Sequence, residues 1–342
     1  MTSPIDLPSR PEEIAEYEES TDRPRLSLTS DVLDFRKCHR KYGMNKIRGF
    51  SGSSPTAEFV GTFAHRAMEE AWQLFQEDHC PPKKQEMVDI LEQIRQDLLD
   101  EGRSPHSWPA VLHAGYQVLC MTATMNKLGL FDSIVDSERT LRKGEENFVL
   151  EGVVDLILDE PEGLILWDFK SAQDPRRSLI NPDATRRSQR ASQQRLDDYS
   201  LQLRLYHYLC ESVLEEKPAR CELIFLGELG RADIEFSNFD NLEEAWHATS
   251  PDTLSNKEWN TQRQDATGTE NHGLFYSVSN SESEISDAIT EFEETAQDIL
   301  YCRDADEWSA PTEEELPSKQ TCDDCDFLES CEPAMRVRSN DE

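Results

Sequence analysis

Residues 147–172, NFVLEGVVDLILDEPEGLILWDFKSA, are two β-rich runs joined by EPEG, the pattern of a hairpin closed by a tight turn. Side chains alternate faces along a strand, so Asp168 and Lys170 project to one side, and the hairpin can lay Asp155 beside them. Two carboxylates and an ammonium set among Val, Leu, Ile and Trp are costly to bury unless they share a cation or pair with one another. Carboxylate oxygens suit Mg2+ or Mn2+, ions that keep coordination positions for water and a phosphate. The same residues also describe a salt-bridged solvent face of an acidic hairpin, and the pattern by itself leaves both readings open.

The flanking sequence is helical on one side and mixed on the other. Order is expected from LSLTSDVLDF, where Thr29 or Ser30 can cap a short helix ending near Cys38. After a Gly/Ser/Pro loop at 51–56, apolar residues at 60, 63, 64, 67, 68, 71, 72 and 75 mark an amphipathic helix. Further helices are expected at about 85–101 and 108–129, and FDSIVDSERTLRK adds a strand ahead of the hairpin. Beyond it, 173–197 reads as a polar loop, DDYSLQLRLYHYLCESVLEE as a helix and RCELIFLGEL as a strand. Residues 238–275 read as polar and irregular, and SESEISDAITEFEETAQDILYC as a last helix. The expected organisation is a single α/β domain over 25–335. It comprises a helical part (25–130), a sheet core (131–230) and a helix with a cysteine tail (280–335). A disordered acidic arm at 1–24 and a tail at 336–342 flank it.

The chain carries 69 Asp and Glu against 35 Lys and Arg, a net charge of −34, and only 11 of the basic residues are Lys. Such a surface repels itself at low ionic strength and is relieved by screening, the pattern expected of a halophile with a high-salt cytosol. Any nucleic-acid site must then be a local basic exception. Residues 175–196, PRRSLINPDATRRSQRASQQRL, supply one, with six Arg and one Asp, either as a flexible phosphate-tracking segment or as a solvated linker. No run of 18 apolar residues exists and the start lacks an apolar signal core, so a cytoplasmic protein without membrane contact is expected. No GxxxxGK[ST] loop is present, so any unwinding of a duplex comes from another protein. Of nine cysteines, three cluster in TCDDCDFLESC at 321–331, and in a large intracellular chain such clusters more often bind metal than form disulfides.

GTFAH at 61–65, GVVD at 152–155, DFK at 168–170 and QLRLY at 202–206, in that order, resemble the PD-(D/E)XK nuclease superfamily. The resemblance is closer to its RecB-like exonuclease branch, which includes the RecB and AddAB nuclease domains and the CRISPR-associated RecB-like exonucleases. It covers Leu26 to Cys331 and implies a restriction-endonuclease-like core, a central mixed β-sheet flanked by helices. It also implies that Asp155 and Asp168 hold Mg2+ or Mn2+, with the Phe169 carbonyl and His65 as further ligands, while Lys170 orients or helps deprotonate the attacking water. Gln202 and Tyr206, one helical turn apart, would contact the substrate strand or brace the lysine, and Arg176, Arg177, Arg186 and Arg187 would meet DNA phosphates. In the iron–sulfur members of the branch one cysteine precedes the nuclease motifs and three follow them. Cys38, Cys322, Cys325 and Cys331 match that arrangement and imply a 4Fe–4S cluster. A Zn2+ site would use the same four thiolates, and spacing leaves that alternative open.

The function so implied is a metal-dependent DNA exonuclease hydrolysing phosphodiester bonds of single-stranded ends. Its setting would be DNA repair, recombination, or CRISPR or mobile-element processing, with a helicase, CRISPR or recombination protein as partner. The alternatives are a non-catalytic DNA-end-binding or helicase-partner subunit with the same fold, or a zinc-stapled regulator. The presence of Asp155, Asp168 and Lys170 together favours catalysis.

Overall fold

The computed structural model describes residues 23–50, 56–230, 236, 239, 242–248, 250–268 and 271–310, together with Cys322, Cys325, Phe327, Leu328 and Cys331. Its centre is a six-stranded mixed sheet flanked by helices. The strands are β1 (Arg25–Ser27), β2 (Ile134–Gly144), β3 (Val149–Glu160), β4 (Gly163–Lys170), β5 (Arg220–Phe225) and β6 (Phe275–Ser277). The order across the sheet is β2, β3, β4, β5, β6. The three residues of β1 lie parallel to Val149, Leu150 and Glu151 at the start of β3. The hairpin turn is Pro161–Glu162, followed by Gly163 at φ +117°, a conformation that favours glycine. β4 and β5 run parallel, and so need the long helical crossover that joins them.

Each face of the sheet has its own apolar core. The first is closed by α1 (Thr56–Asp78), α2 (Lys84–Asp100) and α3 (Trp108–Leu128), which pack on Leu156, Leu158, Ile165, Trp167 and Phe169. Between β4 and β5 come α4 (Arg176–Ile180) and α5 (Arg186–Leu214). The second core lies under α5, the C-terminal helix and the N-terminal helical turns, on Leu150, Val154, Ile157, Leu164 and Leu166. On β4 the alternation is clean: odd-numbered 165, 167 and 169 face the first core and even-numbered 164 and 166 the second. Asp168 and Lys170 therefore stand on the face that α5 covers.

Three stretches differ from expectation. Residues 173–197 are not a loop: α4 lies within them, and α5 begins at Arg186, capped by the Thr185 side chain, which accepts from the Ser188 amide at 3.1 Å. Within 238–275, α6 (Leu242–Ala248) and α7 (Asn256–Gln264) each anchor one buried indole, Trp246 and Trp259, in otherwise polar sequence. One large buried side chain per short helix gives no periodicity to read. The N-terminal cap is Ser27 rather than Thr29 or Ser30. The start of order also lies earlier, because Val149 N donates to Pro24 O at 2.9 Å, tying the end of the expected arm to β3. Residues 1–22 and 336–342 of the expected arm and tail lie outside the described residues. The chain continues into α8 (Glu282–Ala305), whose capping box is formed by Ser281 and Glu284. Among the described residues no helix is long and apolar enough to cross a membrane.

Two helix-interior glycines give opposite expectations. A Cβ at Gly61 would meet nothing within 4 Å, so Gly61→Ala should stabilise the fold by up to about 1 kcal/mol through helix propensity. A Cβ at Gly115 would lie 2.3 Å from the Trp246 ring, so Gly115→Ala should destabilise it by roughly 1–3 kcal/mol despite the same propensity gain. Urea denaturation of the two variants checks the opposite signs.

Candidate active site

The site lies where β4 separates from β3. Their ladder ends at Leu156 paired with Trp167, so Asp155 and Asp168 are the first residues beyond it. The backbone of β3 also turns over here: Leu150 and Val154 belong to the second core, whereas Leu156 and Leu158 belong to the first, so the strict alternation slips by one at Asp155. The Asp155 carboxylate accepts the Phe169 amide at 2.6 Å and so spans the gap that the lost ladder bond leaves. Asp155 is 8% exposed and Asp168 1%.

Asp168 and Lys170, two apart on β4, form an ion pair with Nζ 2.5 Å from Oδ2. Gln202 on α5 orients both. Its Nε2 donates to Asp168 Oδ1 at 2.8 Å and to the Tyr206 hydroxyl at 2.8 Å, while its Oε1 accepts from Lys170 Nζ at 3.1 Å. The ammonium also lies 4.9 Å from the centre of the Tyr199 ring. Burial pushes the Asp168 carboxyl up to about 6, Asp155 adding to the shift and Lys170 opposing it. Burial alone would lower Lys170, but Asp168, Tyr199 and Asp155 outweigh it and hold the amine above its ordinary value. Burial, then Asp168 and Asp155, keep the Tyr206 phenol protonated. Gln202 thus meets the lysine and the carboxylate directly, and Tyr206 holds Gln202 from behind, as a brace for the two charged groups.

His65 reaches the same place from α1. The apolar stripe of that helix, from Phe59 to Phe75, faces the first core, and His65 stands at its edge. Its Nε2 is 2.9 Å from the Phe169 carbonyl oxygen and its Nδ1 3.3 Å from Asp155 Oδ2. Both ring nitrogens therefore face oxygen acceptors, an arrangement that only imidazolium satisfies. Burial would lower its pKa, but Asp155, Glu138 and Asp168 hold it well above the ordinary value.

Glu138, on β2, is the member that sequence reasoning missed. Among the described residues, His65, Glu138 and Asp155 are a group of possible ligands whose donor atoms all lie within 4.8 Å of one another. Glu138 has φ +46°, a conformation that costs a non-glycine residue about 1–3 kcal/mol. Nothing in ERTLRK distinguishes it; the signal is a cross-strand register and a backbone angle. Imidazole, carboxylates and a backbone carbonyl are a donor set that fits Mg2+ or Mn2+, and three carboxylates against Lys170 and His65 leave negative charge for a cation to balance.

The expected DNA-contacting arginines fare differently. Arg176 is 1% exposed, and its guanidinium is held by Asp174 and by the carbonyls of Ala266, Gly268 and Phe275, so it is a structural clamp and not a phosphate contact. A run of charge in sequence looks solvated, and only the tertiary partners reveal a buried ion pair. Arg177 pairs with Glu228, with Nε 2.8 Å from Oε1. Arg186 and Arg187 lie in the first turn of α5, with Arg186 and Arg190 exposed.

Cys38 and the described cysteines between 322 and 331 form a second group. Cys38 has an extended backbone, and its Sγ accepts from the Lys41 amide at 3.5 Å. Burial raises its pKa, the amides of Lys41 and Arg40 lower it, and the thiols of Cys325 and Cys331 raise it further, so these three cysteines share one neighbourhood. The Cys325 amide donates to the Cys322 carbonyl at 3.1 Å, and Cys322 packs against Leu328 and Cys331. Phe50 meets Phe327 edge-on at 6.2 Å, and Tyr42 lies 5.7 Å from Trp308.

A mixed sheet between helices thus carries two carboxylates and a lysine at the parting of a central hairpin. The chain belongs to the PD-(D/E)XK nuclease superfamily, whose family model matches residues 26–332. No curated protein matches it. Among solved structures it is similar to one from Eubacterium rectale described as a candidate exonuclease, at 12% identity over 87% of each chain with a TM-score of 0.45. It is also similar to the protein SSO0001, at 11% identity over 92% of this chain and 91% of the other, with a TM-score of 0.34.

If these residues hold a divalent cation, Mn2+ at a hundred times its dissociation constant should stabilise the folded protein by about 2.7 kcal/mol. Asp155→Asn should abolish that increment. Thermal melts with and without Mn2+ measure it.

Proposed function

We propose that this protein is a Mg2+- or Mn2+-dependent DNA exonuclease acting on single-stranded ends, in DNA repair, recombination, or CRISPR or mobile-element processing. The observation that carries the reading is the Asp155–Asp168–Lys170–Gln202 constellation in a chain of the PD-(D/E)XK superfamily. Asp155, Asp168, the Phe169 carbonyl and His65 would hold the cation, which supplies Lewis acidity toward the phosphate and lowers the pKa of water. Lys170 orients the attacking water and offsets the charge that gathers on the phosphorane oxygens. Gln202 fixes the lysine relative to Asp168, so the ammonium is positioned before substrate arrives. Arg186, Arg187 and Arg190, on the first turns of α5, and Arg195 further along it, supply the basic path for the strand. In a chain of net charge −34, high ionic strength screens the acidic surface that repels the strand, and it screens these phosphate contacts too.

Cys38, Cys322, Cys325 and Cys331 would carry a 4Fe–4S cluster, with Zn2+ as the alternative occupant. Its work is structural: it ties the first helical turns to the C-terminal tail. A helicase, CRISPR or recombination protein would present the DNA end.

On end-labelled single-stranded DNA with Mn2+, Asp168→Ala and Lys170→Ala should each lose most of the cleavage; cleavage by both at the wild-type rate excludes this site. In the same assay, neutralising Arg186, Arg187, Arg190 and Arg195 together should weaken binding and flatten its dependence on salt. Anaerobically purified protein should contain about four iron and four sulfide per chain. Cys38→Ser and Cys325→Ser should bleach it equally, whereas one zinc without sulfide would replace the cluster by the alternative.

A further inference from the structure

Glu138 stands opposite Asp155. On β2 and β3, Ser137 pairs with Leu156 and Arg139 with Val154, so the intervening register position belongs to Glu138 and Asp155, and the ladder skips it. Glu138 takes up φ +46° there, in the middle of an eleven-residue strand, where glutamate gains nothing locally from the left-handed region. The carboxylate is about 30% exposed and faces His65, with Oε1 3.9 Å from Nδ1. That separation is too long for a hydrogen bond, so the pair with His65 does not by itself account for a strained backbone. His65, Asp155 and Glu138 instead surround one small volume with one donor atom each.

We propose that Glu138 is a third carboxylate ligand of the divalent cation, on the His65 side of Asp155. The inference rests on the nuclease reading above and extends it. A nitrogen and two carboxylates gathered at one position favour Mn2+ over Mg2+, because imidazole suits transition ions and Mg2+ prefers oxygen and water. Asp168, engaged by Lys170 and Gln202, then serves the reacting end of the centre, and Glu138 the end that selects the ion.

The test is Mn2+ and Mg2+ titration of the metal-stripped full chain by calorimetry and manganese electron paramagnetic resonance, with thermal melts in the absence of metal. Glu138→Gln should weaken Mn2+ at least tenfold and Mg2+ by less, narrowing the preference between the ions. Glu138→Gly removes the ligand and suits the positive φ, so the metal-free protein should melt a few degrees higher while Mn2+ affinity falls by a similar factor. Opposite signs in one variant are what a ligand held under strain produces, and a purely structural glutamate does not. Unchanged Mn2+ affinity in both variants, with a wild type that binds and cuts, overturns the ligand assignment and leaves the nuclease reading standing. A wild type that neither binds Mn2+ nor cleaves overturns both.

Discussion

The hydrogen bond from the Phe169 amide to the Asp155 carboxylate holds the site together. Two central strands part at that point, and parting strands expose amides and carbonyls that must find partners. Asp155 satisfies the amide and His65 the carbonyl of the same residue, so the backbone of Phe169 positions groups from β3, β4 and α1. The chemistry-bearing side chains are therefore located by backbone partners and not only by side-chain packing. The helices contribute by clamping from both faces: α1 delivers His65 from the first core and α5 delivers Gln202 and Tyr206 from the second.

Buried charge at this density is tolerable because each group has a counterpart. Lys170 answers Asp168, His65 answers Asp155, and Gln202 uses both ends of its amide. Glu138 adds a third carboxylate to this set. A cation entering the centre would displace a proton from His65 and relieve crowding among the carboxylates, so binding is coupled to the protonation of the site as a whole.

The hairpin motif was legible because Asp155, Asp168 and Lys170 are charges set in apolar strands, where period-two alternation makes them conspicuous. The major helices followed from their apolar stripes. Glu138 was invisible because its placement beside Asp155 depends on the ladder slip there and on a left-handed φ, and neither leaves a trace in residue type. Arg176 was misread for the reverse reason: its charge was obvious, but Asp174 and three carbonyls bury it. α6 and α7 escaped because a single tryptophan anchors each.

The pairing of β1 with β3, and of Cys38's surroundings with Cys325 and Cys331, sets an order of events during synthesis. When residues 25–47 leave the ribosome, their sheet partner is still about 120 residues away and their cysteine partners nearly the whole chain length away. The N-terminal segment must therefore stay unpaired while α1 to α3 and the hairpin assemble. It can pair with β3 only once residues 149–151 are made, and its thiol can meet Cys325 and Cys331 only once those residues are made. A chain made only as far as β4 would thus hold the hairpin beside a Cys38 thiol whose partners Cys325 and Cys331 are still missing.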